Sequence, residues 1–468
     1  LNQRNGVSCV SGLNTAPPEA STGAAGENCP LEIRDRIVRT IYREAEAIAA
    51  RAVRRDRPCG SWENKVDDLL TSRLLGFPLM FLLLGAAFWV TLVGANYPSQ
   101  LLAKALFWGE GRLAELLTWL GAPSWLHGLL VTGVYRTVAW VVAVMLPPMA
   151  IFFTVFALLE DLGYLPRVAF NIDPLFKMAG TQGKQALTMS MGFGCNAAGV
   201  MACRIIESPR ERLIAMLTNV FVPCNGRFPT LIALASIFAG PAAGPFAATL
   251  TVAGLVLVGM LITLLASWLL SRTILRGEPA TFILELPPLR PPQPVRVLVR
   301  SLLDRTLFVL ARAVTVAAPA GALIWLLAGT SLEGQSLLAR GAGLLDPLGR
   351  AMGMDGFILL AFILGLPANE IVLPILLMGY LSTGTLVEVE SLAALQNILV
   401  GEHGWTWLTA LCTMLFSLLH FPCGTTLLVI HRETGGIKWA VLGALIPLAA
   451  GCLTCLAVAQ GVRALGLL

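Results

Sequence analysis

Three thiols stand beside chain breakers inside apolar runs: Cys195 between Gly194 and Asn196, Cys224 after Pro223, and Cys423 between Pro422 and Gly424. A carboxylate, Glu370, follows Asn369 in another such break, LGLPANEIVLP at 364–374. A carboxylate inside a membrane-length apolar segment is costly and is by default a functional candidate. Thiolates select softer transition metals, whereas hard cations prefer all-oxygen cages. Thiolate, carboxylate and amide oxygen together suit a borderline divalent cation such as Fe(2+). Ligand type alone also admits Zn(2+), Mn(2+) and Co(2+). Cys195, Cys224, Cys423 and Glu370 are therefore the candidate metal ligands. Asn196, Asn369, His420, Glu160 and Asp161 are candidates for a path or for supporting contacts.

Each has a plainer alternative. A free Cys is commonly a small buried packing residue, which is the reading for Cys203 and Cys412. His420, three residues before Cys423, is either a hydrogen-bonded core histidine or a ligand. Glu160-Asp161 form either a polar mouth or a solvated helix end near Arg167. Cys452-x-x-Cys455 has a ligand-like gap and reads as packing, a redox-sensitive pair or a metal pair. His127, His431, Arg432 and Lys438 read as interfacial. No Ser-His-Asp order, HExxH or P-loop string occurs, so the chain shows no nucleotide site and is not expected to be an enzyme by itself.

The elements that must position these groups are set by composition. Of 468 residues, 56% are hydrophobic and 13% charged, against about 25% charged in soluble domains. Several apolar runs exceed the roughly 18–20 residues that cross a bilayer. The expected fold is all-α: a polytopic transmembrane bundle with two internal gate repeats containing broken or re-entrant helices. The net charge of +5 fits cytoplasmic Lys/Arg loops and gives no footprint for nucleic acid. Ten cysteines scattered in or beside apolar segments are not a secreted disulfide framework.

Along the chain, residues 1–30 read as a Gly/Ser/Ala-rich disordered linker and 31–60 as a cytoplasmic amphipathic helix, with Ile33, Ile37, Ile41, Ile48 and Val53 as its stripe. Residues 61–271 form one membrane half, 272–304 an Arg/Pro-rich cytoplasmic connector, and 305–468 the other half. Spans are expected at 74–96, 134–159, 213–239, 245–271, 306–328, 356–380, 405–430 and 438–461, with 97–133 an outer interfacial segment carrying Trp108, Trp119 and Trp125. Ten Lys/Arg from Arg34 to Arg73 put the N-terminus in the cytoplasm by the positive-inside tendency. The chain opens on Leu1 and reads as the later part of a longer protein.

The halves repeat. Gly192-Phe-Gly-Cys-Asn196 matches Gly365-Leu-Pro-Ala-Asn369, and Met216-Leu217 leading to Pro223-Cys224 matches Met414-Leu415 leading to Pro422-Cys423. Interrupted apolar segments at corresponding places in two halves are the best sequence pointer to a transporter's central site. With each broken segment re-entrant, the span count makes the repeats inverted.

These motifs carry a resemblance. ALLEDLGYLPRVAF at 157–170, GFGCN, RERLIAMLTNVFVPCNGRFPT at 210–230, LGLPANEIVLP and LLHFPCGTTLLVIHRETG at 418–435 are similar, in order, to the membrane domain of the ferrous iron transport protein B family. The resemblance covers about residues 31–465. It implies two gate repeats, Fe(2+) uptake across a bacterial inner membrane, and an iron path through the counterparts of Cys195, Cys224 and Cys423, with Glu370 a further member. It implies that GTP and Mg(2+) act only through a GTP-binding domain, upstream in cis or supplied in trans. The implied partners are Fe(2+), the lipid bilayer, that domain and a small cytoplasmic accessory protein; a homo-oligomer is compatible. The sequence departs from the family at Ala197-Ala198-Gly199, where Val-Pro-Ala is common. Two rival readings are a gate-type carrier of an organic solute such as a nucleoside, and a membrane redox or metal sensor built on Cys452 and Cys455 without transport.

Overall fold

The computed structural model describes residues 30–52, 62–72, 75–277, 298–299, 306, 308–332, 335–383, 385–386 and 391–466. The linker expected at 1–30 lies outside these residues except for Pro30. So does most of the connector, at 278–297 and 300–304.

The chain is helical, apart from one short antiparallel ladder pairing Ser331 with Ser336 and Leu332 with Gln335. Helix α1 (Pro30–Ala52) carries the expected stripe, but Ile37, Ile41 and Ile48 are exposed. Helix α2 (Trp62–Thr71) is tied down by Asp67, whose carboxylate takes two hydrogen bonds, of 2.8 and 3.2 Å, from the buried Arg167. Arg167 therefore serves α2 through Asp67.

Helix α3 (Gly76–Trp119) is one 44-residue helix running through Pro98. This corrects the expected division into a span at 74–96 and an interfacial segment after it. A proline removes a single backbone bond, and apolar flanks on both sides keep the helix going. At 1.5 Å per residue it is roughly 66 Å long, well beyond a hydrocarbon core of about 30 Å. Its far end carries the exposed Trp108 and Trp119. Helix α4 (Arg136–Asp161) follows a π-helical turn and continues through Pro147-Pro148.

The first repeat comprises α5 (Tyr164–Met178), α6 (Lys184–Gly194), α7 (Asn196–Ala202), α8 (Pro209–Thr218), α9 (Phe228–Phe238) and the long α10 (Gly240–Arg272). The second half holds α11 (Phe308–Gly329), α12 (Leu337–Ala351), α13 (Gly356–Leu364), α14 (Val372–Leu381), α15 (Trp407–Leu419), α16 (Gly424–Thr434) and α17 (Ile437–Ala464). Among the described residues, seven helical segments are long and apolar enough to cross a membrane; the count becomes eight if α12 and α13, bent by 113°, form one span. The protein is a multi-pass membrane protein with an all-α fold. The expected span at 356–380 is not one helix. Pro367 forces the residue before it out of helical geometry, so α13 ends at Leu364 and pairs instead with α12.

The repeat is visible in the backbone. Cys195 and Ala368, matched by the sequence, share the same extended conformation, φ −154° and ψ 124°. The correspondence extends further back than the matched motifs. Asp173-Pro174-Leu175 in α5 matches Asp346-Pro347-Leu348 in α12 at the same offset. Each aspartate accepts from a backbone N–H ten residues on, Gly183 at 2.7 Å and Gly356 at 3.2 Å. Between them, Gly180 (φ 77°) and Gly353 (φ 78°) make the same left-handed turn, which only glycine adopts without strain.

Candidate functional site

Each repeat contributes two breaks. In the first, α6 stops at Gly194, Cys195 is extended, and α7 starts at Asn196. Glycine is required at this break, because a side chain at Gly194 would overlap the Phe152 ring and one at Gly192 the Asn219 amide. Asn219 donates to the Asn196 carbonyl at 3.3 Å. With its amide nitrogen turned inward, Asn196 donates to the Gly192 and Val222 carbonyls at 3.2 and 3.1 Å. Asn196 thus ties backbone groups freed by both breaks of its repeat, as a buried break requires.

The second break follows α8. Pro223 holds Val222 extended (ψ 122°), Cys224 is extended, and a short 3-10 turn, Asn225–Arg227, leads into α9. In the other half, Ala368 precedes a 3-10 turn at Asn369–Ile371, and Cys423 precedes α16. The Gly424 N–H donates to the Leu366 carbonyl at 2.6 Å, joining the two breaks of that half.

All four breaks meet at one cavity of about 20 Å³, lined by Cys195, Asn196, Cys224, Asn369, Glu370 and Cys423 among others. That is room for about one water-sized particle. The three thiols and the carboxylate named from the sequence therefore share one cavity. Asn369 donates to the Cys224 sulfur at 3.9 Å, linking the halves across it. The Thr426 hydroxyl lies 3.2 Å from the Cys423 sulfur. Gly226 packs so closely on Glu370 that a side chain there would overlap the carboxylate. Cys195, Cys224, Ala368 and Cys423 each stand immediately before a helical segment. Helix N-termini favour negative charge, but of these four segments only α16, which follows Cys423, is longer than seven residues. Among the described residues no three His, Cys, Asp or Glu side chains are close enough together to form a closed metal shell.

Three candidates lie elsewhere. His420 is buried, with Nδ1 3.0 Å from the carbonyls of both Phe416 and Ser417 and its ring packed among Phe362, Phe416 and Phe421. It does not line the cavity. Glu160 and Asp161 are exposed at the end of α4, also away from the cavity lining. Cys452 and Cys455 stand one turn apart on α17, and the Cys455 thiol donates to the Cys412 carbonyl on α15 at 3.4 Å.

Two kinds of residue escaped the sequence reading. Met145 and Met149, flanking Pro147-Pro148 of α4, add thioethers to the lining. A methionine in an apolar helix carries no sequence signal. Arg227 carried one, being a charge inside a span. It is 1% exposed and donates to the Val220 and Leu418 carbonyls (3.0 and 2.8 Å) and to those of His420 and Phe421 (3.2 and 3.4 Å). An arginine from the first repeat thus caps the carbonyl end of α15 in the second. At the surface, Arg204 after α7 forks onto Glu433 of α16 at 2.6 and 2.7 Å.

A family model described as nucleoside recognition (Gate) matches residues 142–239 and 310–437. One described as ferrous iron transport protein B C terminus matches 252–304. Together they span more than half of the chain. The Fe(2+) transport protein A/Fe(2+) transporter FeoB fusion protein of Porphyromonas gingivalis is 28% identical over 425 residues, 81% of this chain and 49% of that protein. The Fe(2+) transporter FeoB of Staphylococcus aureus is 29% identical over 399 residues, covering 83% and 57%. That of Methanocaldococcus jannaschii is 28% identical over 419 residues, covering 86% and 59%. The chain thus spans about half of the length of the curated relatives it matches. No solved structure matches. Both family models, the relatives and the paired breaks agree: the chain belongs to the ferrous iron transport protein B family and corresponds to its membrane part.

Proposed function

We propose that the chain is the permease part of a ferrous iron transporter, with Fe(2+) as cargo passing between the two gate repeats. One observation carries this reading: the breaks of both repeats converge so that Cys195, Cys224, Cys423 and Glu370 line a single cavity. Sulfur and carboxylate donors suit Fe(2+). An open, unclosed donor set suits transit, because conduction needs binding strong enough to enter and weak enough to leave. The thioethers of Met145 and Met149 add soft character to the same wall. Cys224, Asn369 and Glu370 act as the central group; Asn196 and Arg227 hold the backbone that presents them. Glu160 and Asp161 are assigned no role in the path.

The wider frame extends the same reading. The N-terminus is cytoplasmic, the membrane is a bacterial inner membrane, and residues 1–60 and 272–304 lie on the cytoplasmic side. A GTP-binding domain with its Mg(2+), in cis or in trans, gates the path, and a small cytoplasmic accessory protein joins it. The fusion relative, whose name joins a transport protein A to the transporter, supports that last partner. The membrane potential favours inward movement by about 2.3 kcal/mol per charge per 100 mV.

A nucleoside carrier fits less well, although one matching model is described by nucleoside recognition. A cavity of about 20 Å³ is far below the roughly 300–1,000 Å³ of organic-ligand pockets. The test is ferrous influx into liposomes holding a quenchable fluorophore. Cys224→Ser and Glu370→Ala are each expected to lower influx at unchanged protein level. Wild-type influx by both variants would sink the path.

A further inference from the structure

A second, larger cavity lies away from the breaks. It measures about 330 Å³ and is enclosed by α3, α4, α5, α6 and α10. Its wall is apolar: Met80, Phe156, Val168, Phe176, Met189 and Leu264 are among its residues. Its open side carries Leu175, Leu257 and Leu261, which are 40, 49 and 66% exposed. Leu257 and Leu261 are one turn apart on α10, a candidate membrane span whose central window is only 22% buried inside the protein. The mouth is therefore continuous with the surface that meets lipid.

Two polar side chains reach this wall. Ser190 is spent on the Ala186 carbonyl at 2.9 Å. Tyr164 is 9% exposed, and its buried hydroxyl has no hydrogen-bond partner among the described residues. That hydroxyl has no surface open to the cavity, so neither side chain offers a ligand a free polar partner. The lining includes no cationic side chain, which argues against a carboxylate and for a long apolar body.

We propose that this pocket holds one acyl chain of a bilayer phospholipid. Apolar volume open to the bilayer takes the chain, and the headgroup stays outside the mouth. Occupancy also bears on the cation cavity. Phe193 lines the lipid pocket, while Gly194 and Cys195, the next two residues, line the other. Phe156 of the pocket wall stacks on Phe152 at 4.2 Å, and Phe152 fills the space that Gly194 leaves. An acyl chain would brace the last turn of α6 at the point where it yields to Cys195. The binding itself does not depend on the cargo reading.

The experiment reconstitutes the chain in nanodiscs of palmitoyl-oleoyl-phosphatidylglycerol, strips bulk lipid, and counts retained phospholipid by intact mass spectrometry. One phospholipid per chain is expected. Tyr164→Phe, which removes a hydroxyl closed off from the cavity, should leave its apparent affinity unchanged. Leu261→Trp, at an exposed rim where folding tolerates bulk, should lower it at least ten-fold, and Ala186→Phe should do the same from the floor. Added phospholipid should raise the melting temperature of the wild type and not that of Leu261→Trp. Equal retention by wild type, Ala186→Phe and Leu261→Trp would overturn the proposal. So would retention of a free fatty acid, a prenylquinone or detergent in place of the phospholipid.

Discussion

Replacing Arg227 tests how the two repeats are held together. Its guanidinium is buried and meets four carbonyls, those of Val220, Leu418, His420 and Phe421, the last three from the other half of the chain. Hydrogen bonds from a charged donor contribute about 1.5–3 kcal/mol each. The two short ones alone, at 2.8 and 3.0 Å, supply roughly 3–6 kcal/mol, and the longer pair adds less. Burying the guanidinium offsets part of this, so a net loss of about 3–5 kcal/mol is expected when one partner is removed. Arg227→Met keeps the volume and deletes every donor. Unfolding entropy of about 2.1 cal/mol/K per residue over 468 residues gives roughly 1 kcal/mol/K, so the melting temperature should fall by about 3–5 °C. Arg227→Lys keeps the charge but lacks the planar fork, and should fall between the two. The assay is thermal unfolding of purified protein in detergent, followed by a thiol-reactive dye. An Arg227→Met melting temperature equal to wild type would refute the claim that this side chain joins the halves.

Other consequences follow from the same geometry. Gly226→Val forces a branched side chain into the Glu370 carboxylate and should abolish ferrous influx in liposomes while the protein still reaches the membrane; retained influx would separate Glu370 from the path. Asn369→Leu removes the amide that donates to the Cys224 sulfur and so favours its thiolate, the form that reacts; Cys224 should therefore react more slowly with a membrane-permeant maleimide than in the wild type. Metal ligands of the thiol and carboxyl class must lose their protons to bind, so ferrous affinity should fall as pH is lowered and binding should release protons, measurable in weakly buffered detergent solution. Arg204→Ala breaks an ion pair whose arginine is 68% exposed; such pairs contribute about 0–1 kcal/mol, and the melting temperature should move by no more than about 1 °C.

Much of this was legible in the sequence. Membrane-length apolar runs follow from composition, since hydrogen-bonded helices are what an uninterrupted apolar chain forms in lipid. The breaks at Cys195, Cys224, Pro367 and Pro422 were readable because Gly and Pro act locally on the backbone. The paired motifs of the two halves were readable too, although the longer match beginning at Asp173-Pro174-Leu175 and Asp346-Pro347-Leu348 went unread. A short DPL string means little until the shared hydrogen bond to Gly183 and Gly356 gives it a geometry.

The sequence by itself therefore determined the membrane class, the helical content, the repeat and the four side chains with metal chemistry. Tertiary structure alone decided which of them meet. It brought Cys195, Cys224, Cys423 and Glu370 to one cavity and turned His420 into a phenylalanine cluster, although His420 is only three residues from Cys423. It joined the Cys455 thiol to the Cys412 carbonyl across two helices, and it spent the charge of Arg227 on carbonyls of the opposite repeat. The physical reason is the same in each case. A break fixes φ and ψ over a few residues, whereas the direction of a side chain beyond it depends on how two helices from distant parts of the chain pack.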